Sequence, residues 1–422
     1  MRTALGPMRR VRDRCETLAI WGMFLTLPIE RVLVLEASGF TIRPVYPFMA
    51  ALIFLHAGRI RHSGIAGVVA GLIVGAVVVS AVTSESPRLT AGYTAWAVIA
   101  VLFFVATVGA VRESRDRLEF WVQAYITTGA LWGVFALAQW LLSFFVTDFA
   151  YAFLGSLPRV HGLAFEPSFF AFYLIPPLLL SLRTVQVRST GLTLIGVILS
   201  TSRTGLVGLV AGGAALTILA KREVAKRMVV AGLALGVALT LAAVVSRGSY
   251  LDFVANTVSL DEPESISRRL ATWSEAWTVF TANPIDGAGV GAYGGGLHAE
   301  GIALGVPEAD LKTTNLWLEV LAELGVLGFG ALVAWIVIPV AGIWRRRAED
   351  ELTSFVLAAL LASTAMLAFV QTWWVPYHWT VWIIAYGLAF PLATGSGVLS
   401  GQTAASVTRR RRTVTKRESR DI

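Results

Sequence analysis

A single cysteine, Cys15, stands in 422 residues. No disulfide can form within the chain, and two-cysteine redox chemistry and thiolate zinc sites are excluded with it. Charge is also scarce. Asp, Glu, Lys and Arg together make up 15% of the chain, against about 25% in soluble domains. Soluble catalytic signatures are missing too: there is no P-loop, no HExxH and no G-x-S-x-G elbow. ATP-driven transport by this chain alone is therefore not expected. What is abundant is apolar side chain. Hydrophobic residues reach 56% and mean hydropathy is +0.68, more than a soluble fold can bury. An all-α integral membrane protein is the class that remains.

Apolar runs of near-membrane length recur through the chain. A bilayer core of about 30 Å takes around 20 helical residues. Spans are predicted near 17–35, 44–58, 64–82, 92–111, 118–146, 165–182, 189–201, 204–220, 228–246, 314–344, 352–371 and 378–396, about twelve transmembrane helices in one polytopic membrane domain covering 1–422. The runs do not alternate with period two, so they do not read as barrel strands. Glycines spaced by four, at 67, 71 and 75, at 208 and 212, and at 232 and 236, predict close helix approaches.

The net charge is +8, yet its distribution argues against nucleic acid. Alternate connections together with both termini hold 26 of the 35 Lys and Arg residues, among them Arg59, Arg112, Arg115, Arg117, Arg183 and Arg345 to Arg347. The positive-inside bias puts that side, with both termini, in the cytoplasm. The tail 397–422, with Arg409 to Arg412, reads as a basic cytoplasmic segment touching anionic membrane lipid. A large extracytoplasmic loop is expected over 247–313. Within it, Ile266, Leu270, Trp273, Trp277 and Phe280 fall on one helical stripe, which predicts an amphipathic helix on the outer surface or over a cavity mouth.

Nine cations defy the bias and stay on the outer side. Arg159 sits just before a span. Arg203 lies in STSRTG between two short apolar runs, and Arg269 in the loop helix. Cations converging on one face suit a diphosphate, which Arg grips bidentately. Snorkelling or pairing with a helix carboxylate is the alternative for Arg203, and a solvated helix face the alternative for Arg269. Glu166, before Pro167, reads either as a helix-terminal carboxylate favoured by the dipole or as a general base at the membrane surface. His161 is the alternative base. GVGAYG at 289–294 matches G-x-G-x-x-G, but no βαβ unit surrounds it, so it reads as an irregular turn permitting close backbone approach.

Four segments resemble one family, the O-antigen polymerase and O-antigen ligase superfamily of bacterial membrane glycosyltransferases. RVHGLAFEPSFFAFYL is similar to its R-x-x-G…E/H-P-[SN] segment and LSTSRTGLVGL to its S-x-S-R segment. RRLATWSEAWTVFTANPIDGAGVGAYG is similar to R-L-x-x-W…P-x-x-G-x-G. TNLWLEVLAELGVLG resembles the ligase signature H-[NSQ]-x9-G-x-x-[GTY], with Asn315, Gly325 and Gly328 in place and Thr314 where the signature has histidine. The likeness is strongest over roughly 150–330. It implies a GT-C-like membrane fold and transfer or polymerisation of a polyprenyl-diphosphate-linked glycan onto a glycan or lipid acceptor. It further implies Arg159, Arg203 and Arg269 as diphosphate ligands, Glu166 or His161 as base, and Asn315 and Thr314 as substrate-side candidates, with no metal or other cofactor. Thr314 tilts the likeness toward a polymerase-like member. A lipid-linked glycan flippase or other transporter is the alternative, although the two halves of the chain show no repeat.

Overall fold

The computed structural model describes residues 5–30, 32–33, 35–37, 40–84, 87–146, 152–154, 157–184, 186–219, 263–293, 315–370 and 376–392. Helices dominate. In chain order they are α1 (Leu5–Thr26), α2 (Tyr46–His56), α3 (Ile65–Thr83), α4 (Pro87–Arg112), α5 (Arg115–Leu142) and α6 (Pro167–Ser181). Then come α7 (Val187–Leu199), α8 (Arg203–Leu219), α9 (Pro263–Ala282), α10 (Leu316–Arg345), α11 (Glu351–Met366) and α12 (Pro376–Ala389). Short 3-10 turns follow α2 and α11. Two antiparallel hairpins interrupt the helices, β1 (Leu35–Ala37) with β2 (Phe40–Ile42), and β3 (Ala152–Leu154) with β4 (Leu157–Arg159).

This is an all-α membrane protein apart from those hairpins. Five stretches are long and apolar enough to cross a bilayer: Ile65–Thr83, Thr90–Arg112, Arg115–Leu142, Leu316–Arg345 and Glu351–Phe369. α6, α7 and α8 are apolar but shorter. The first helix ends at Thr26, not near 35, because the chain turns at Leu27 and runs on to β1. The span expected at 228–246 lies outside the described residues.

The bundle packs α5 on α7, α8 and α6 on α11, α3 on α10, α4 on α12 and α9 on α10. Lipid is as apolar as Leu, so contact between membrane helices depends on fit more than on hydrophobicity. Gly208 and Gly212 supply such a fit. A Cβ on Gly208 would meet the Met366 sulfur at 2.5 Å, and one on Gly212 would meet Leu179 at 2.5 Å. Gly71 and Gly75 on α3 do not work this way among the described residues, where no other element comes within 4 Å of a Cβ placed on either. Large aromatics fill the centre: Trp121, Trp379, Trp382, Tyr125 and Tyr173 are fully buried.

The arginines of the alternate connections gather at one end. Arg59 bonds Glu113 at 2.9 Å, Arg117 bonds Glu16 at 2.9 Å, and Arg183 bonds Glu119 at 2.7 Å. Arg115 pairs with Asp350 across to α11. A cavity of about 230 Å³ opens here beside Arg112, Arg346 and Asp350. The opposite end carries the hairpins, the α7–α8 turn and the start of α10.

Candidate functional site

Arg159 closes β4, and the chain then hooks onto the end of α7, where the Val160 amide donates to the Leu199 carbonyl at 3.2 Å. The hook sets Arg159 against the α7–α8 turn. Its Nε donates to Thr201 Oγ1 at 3.0 Å, and its Nη2 reaches the Thr201 carbonyl at 3.5 Å. Thr201 sits at φ +43, a region that β-branched residues rarely enter. Ser202 caps the next helix through its Oγ, bonded by the Gly205 amide at 3.2 Å, and Arg203 is the first residue of α8. Arg159 and Arg203, 44 residues apart in sequence, thus share one turn. The positive end of α8 adds its dipole there.

Between Arg159 and Glu166 the chain is tied down at each step. His161 is buried and its Nδ1 lies 2.8 Å from the Ala164 carbonyl. Facing an acceptor, Nδ1 carries the proton of a neutral ring and Nε2 stays basic. Gly162, at φ +61, donates its amide to Gln139 Oε1 at 3.0 Å. The Glu30 amide donates to the Leu163 carbonyl at 2.8 Å, and Glu30 Oε2 accepts the Phe165 amide at 2.9 Å. Glu166 comes next, extended at φ −141 and half-buried, with Pro167 opening α6. Its side chain does not cap the helix; Oε2 accepts the Ser168 hydroxyl at 2.9 Å.

Sequence reasoning missed Glu30. Its carboxylate is almost wholly buried, and Arg43 Nη1 donates to Oε1 at 2.8 Å. Burial pushes the Glu30 carboxyl above the ordinary range; Arg43 and the Phe165 amide pull it back, and the neighbouring Glu166 charge pushes it up again. Glu30 and Glu166 therefore lie within electrostatic reach of each other. The signal in the sequence was a carboxylate and an arginine flanking an outer connection, with nothing to show that they paired.

Asn315 is the N-cap of α10. Its Oδ1 accepts the Trp317 and Leu318 amides at 3.0 and 3.3 Å, so that oxygen has a structural use. Thr314 lies outside the described residues. Arg269 stands on α9, its carbonyl accepting the Thr272 hydroxyl at 2.9 Å. From there the polar side of α9 turns inward: Tyr293 donates to the Thr272 carbonyl at 2.7 Å, and Ala276, Tyr293 and Ala322 pack together. Of the apolar stripe, Leu270 and Trp277 are more than half exposed, while Trp273 and Phe280 are partly buried. Burial, then the Glu275, Glu319 and Glu323 charges, pushes the Tyr293 phenol above its ordinary range.

α10 is broken at Gly325, which holds φ +60. The glycine-rich turn 284–291 covers the break. Ala288 and Gly289 amides donate to the Ala322 and Glu323 carbonyls, while the Val326 and Leu327 amides donate to Pro284 and Ile285. Ser80 Oγ donates to the Glu323 carbonyl as well. A side chain at Gly287 would collide with the Glu323 backbone, so the G-x-G-x-x-G match is a turn built for close approach. Among the described residues no three His, Cys, Asp or Glu side chains cluster to hold a metal ion.

Residues 189–333 match the family model described as O-antigen ligase. The matched stretch runs from α7 into α10 and takes in Arg203, Arg269, Asn315 and the helix break; Arg159, His161 and Glu166 lie before it. No curated protein matches the chain at a significant level.

Proposed function

We propose that this chain, a member of the O-antigen ligase and polymerase superfamily, transfers or polymerises a glycan carried on a polyprenyl diphosphate, at the outer face of the cytoplasmic membrane. The observation that carries the reading is the shared turn of Arg159 and Arg203, with Arg159 only two and seven residues along the chain from His161 and Glu166. Twelve spans, both termini in the cytoplasm, a large outer loop over 247–313 with α9 on the membrane surface, and a cytoplasmic tail over 397–422 complete the proposal.

In the reaction an acceptor hydroxyl oxygen attacks the anomeric carbon of the donor. The bond from that carbon to the diphosphate oxygen breaks, and its electron pair leaves with the polyprenyl diphosphate. Arg159, Arg203 and Arg269 neutralise the charge as it develops. Glu166, or His161 through Nε2, takes the hydroxyl proton. Arg159 is pre-oriented by its bonds to Thr201, so its side chain needs little reorganisation in the step.

Purified protein in detergent, given lipid-linked glycan from the source cells, should release polyprenyl diphosphate in step with new glycosidic bonds. Transfer of the intact lipid-linked glycan across liposomes, with no bond broken, would establish the flippase reading in its place.

A further inference from the structure

Three side chains from distant parts of the chain gather around the start of α6: Glu30 takes the Phe165 amide at 2.9 Å and Arg43 at 2.8 Å, and the Tyr377 ring lies 6.0 Å from those of Phe169 and Phe172. Glu30 follows α1, Arg43 precedes α2, and Tyr377 stands in the first turn of α12. Tyr377 is 1% exposed, and its hydroxyl lies within electrostatic reach of Glu30, Arg43, Tyr46 and Glu166. The Glu30 carboxylate is engaged on both oxygens, by Arg43 and by the Phe165 amide. Two donors are left over. Arg43 Nε and the Tyr377 hydroxyl are both buried, and neither has a hydrogen-bond partner among the described residues. Buried donors are almost always bonded, so two unmade ones around the same helix start mark a place that something else fills.

We propose that Arg43 and Tyr377 form, beside Glu166, a subsite for a hydroxyl-bearing sugar of the acceptor, each donating a hydrogen bond to a ligand oxygen. This rests on the glycosyltransferase reading and extends it. Charge selects the ligand class. Arg43 is already balanced by Glu30, and Glu166 adds a second carboxylate, so a phosphate would meet net negative charge. A sugar hydroxyl accepts from Arg43 and Tyr377 and can donate to Glu166. The segment from Arg159 to Glu166 then joins two unlike places, a cationic turn for the diphosphate and a charge-balanced one for the sugar.

The hydroxyl of Tyr377 makes no bond to the described residues, so removing it costs the fold little. Tyr377→Phe is the test, with Arg43→Lys beside it. Steady-state transfer by the purified full chain is measured with extracted lipid-linked glycan as donor and the octyl glycoside of the same saccharide as acceptor, each varied in turn. In both variants the acceptor KM should rise by about 3–10-fold, the size of one lost hydrogen bond. The donor KM should not move in either variant, and the thermal midpoint should not move in Tyr377→Phe, the variant that leaves the Glu30–Arg43 pair intact. An unchanged acceptor KM in Tyr377→Phe overturns the subsite, as does a rise in donor KM alone, or a lowered midpoint in that variant. A wild-type chain that transfers nothing defeats the glycosyltransferase reading itself, whereas active wild type with an indifferent Tyr377→Phe defeats only the subsite.

Discussion

At the end of the bundle holding Arg59, Arg115, Arg117 and Arg346, arginine is set against carboxylate on neighbouring helices, and the backbone is regular. The opposite end is built otherwise. Leu33, Thr201, Gly162, Gly287, Gly289, Gly291 and Gly325 all carry positive φ there; Gly64 is the exception among the described residues, at the basic end. One end is stapled by side chains, and the other is held in irregular backbone by hydrogen bonds from outside the helices. Backbone strain persists only where surrounding structure over-determines it, and it collects at ligand sites. The contrast supports the proposal that the chemistry belongs to the irregular end and the anchoring to the basic one.

The comparison breaks outright if the ends face the wrong way. In a Cys15→Ser background, a cysteine at Thr281 should label from outside intact cells, and one at Glu349 only after permeabilisation. Ser354 is a poor choice for such labelling, being buried with its Oγ against the Leu219 carbonyl. The reverse pattern would invert the assignment. Next in size is the base. Glu166→Gln keeps shape and makes no difference to capping, because the native side chain does not cap. Losing a general base costs about 10²–10⁴-fold in rate. Transfer at the wild-type rate by Glu166→Gln, with an inactive His161→Ala, would hand the role to His161. Arg203→Lys keeps charge and loses the bidentate fork, so transfer should fall by about 10–100-fold. Arg346→Lys, at the stapled end, should stay within about twofold because exposed ion pairs contribute little. Equal losses in both would erase the distinction.

Much of the basic end was legible because periodicity and charge counting are local. Arg59, Arg115, Arg117 and Arg183 fall in connections whose side follows from composition alone. STSRTG announced a turn, and the glycines of 287–291 announced close approach. The Glu30–Arg43 pair was not legible, since pairing across 13 residues of irregular chain depends on where the segment from Leu163 to Phe165 docks. Nor was the break in α10. Gly325 fits the ligase signature, but a glycine in an apolar run reads as a packing residue until a partner strand of backbone is seen beside it. The stripe on α9 predicted which residues share a face, but not that the Thr272–Ala276 side packs against Tyr293 and Ala322.

Gly325 gives a smaller, structural test of the irregular end. Ala at φ +60 is strained, and its Cβ would also meet the Ile285 carbonyl. A non-glycine residue held there costs about 1–3 kcal/mol. Gly325→Ala should therefore lower the thermal midpoint in detergent, and the loss should exceed that of Gly330→Ala, where nothing lies within 4 Å. Equal midpoints would mean that the break is not held as described.

The smallest effect belongs to the stapled end. Burial alone would raise the Glu113 carboxyl, but the His62 hydrogen bond and the Arg59 and Arg117 charges outweigh it and hold it below its ordinary value of 4.5. A depressed carboxyl binds fewer protons folded than unfolded, so stability rises with pH across the interval between the two values. Its contribution is complete above 4.5 and drains away as pH falls through the lower, folded value. Glu113 is a quarter exposed, and solvent screens its partners, which keeps the effect modest. The thermal midpoint of wild type should fall between pH 7 and pH 4, and Glu113→Gln should fall less over the same interval while starting lower at pH 7. An unaltered acid-side drop in Glu113→Gln would assign that pH dependence to other carboxylates and leave Glu113 a spectator among the arginines that flank it.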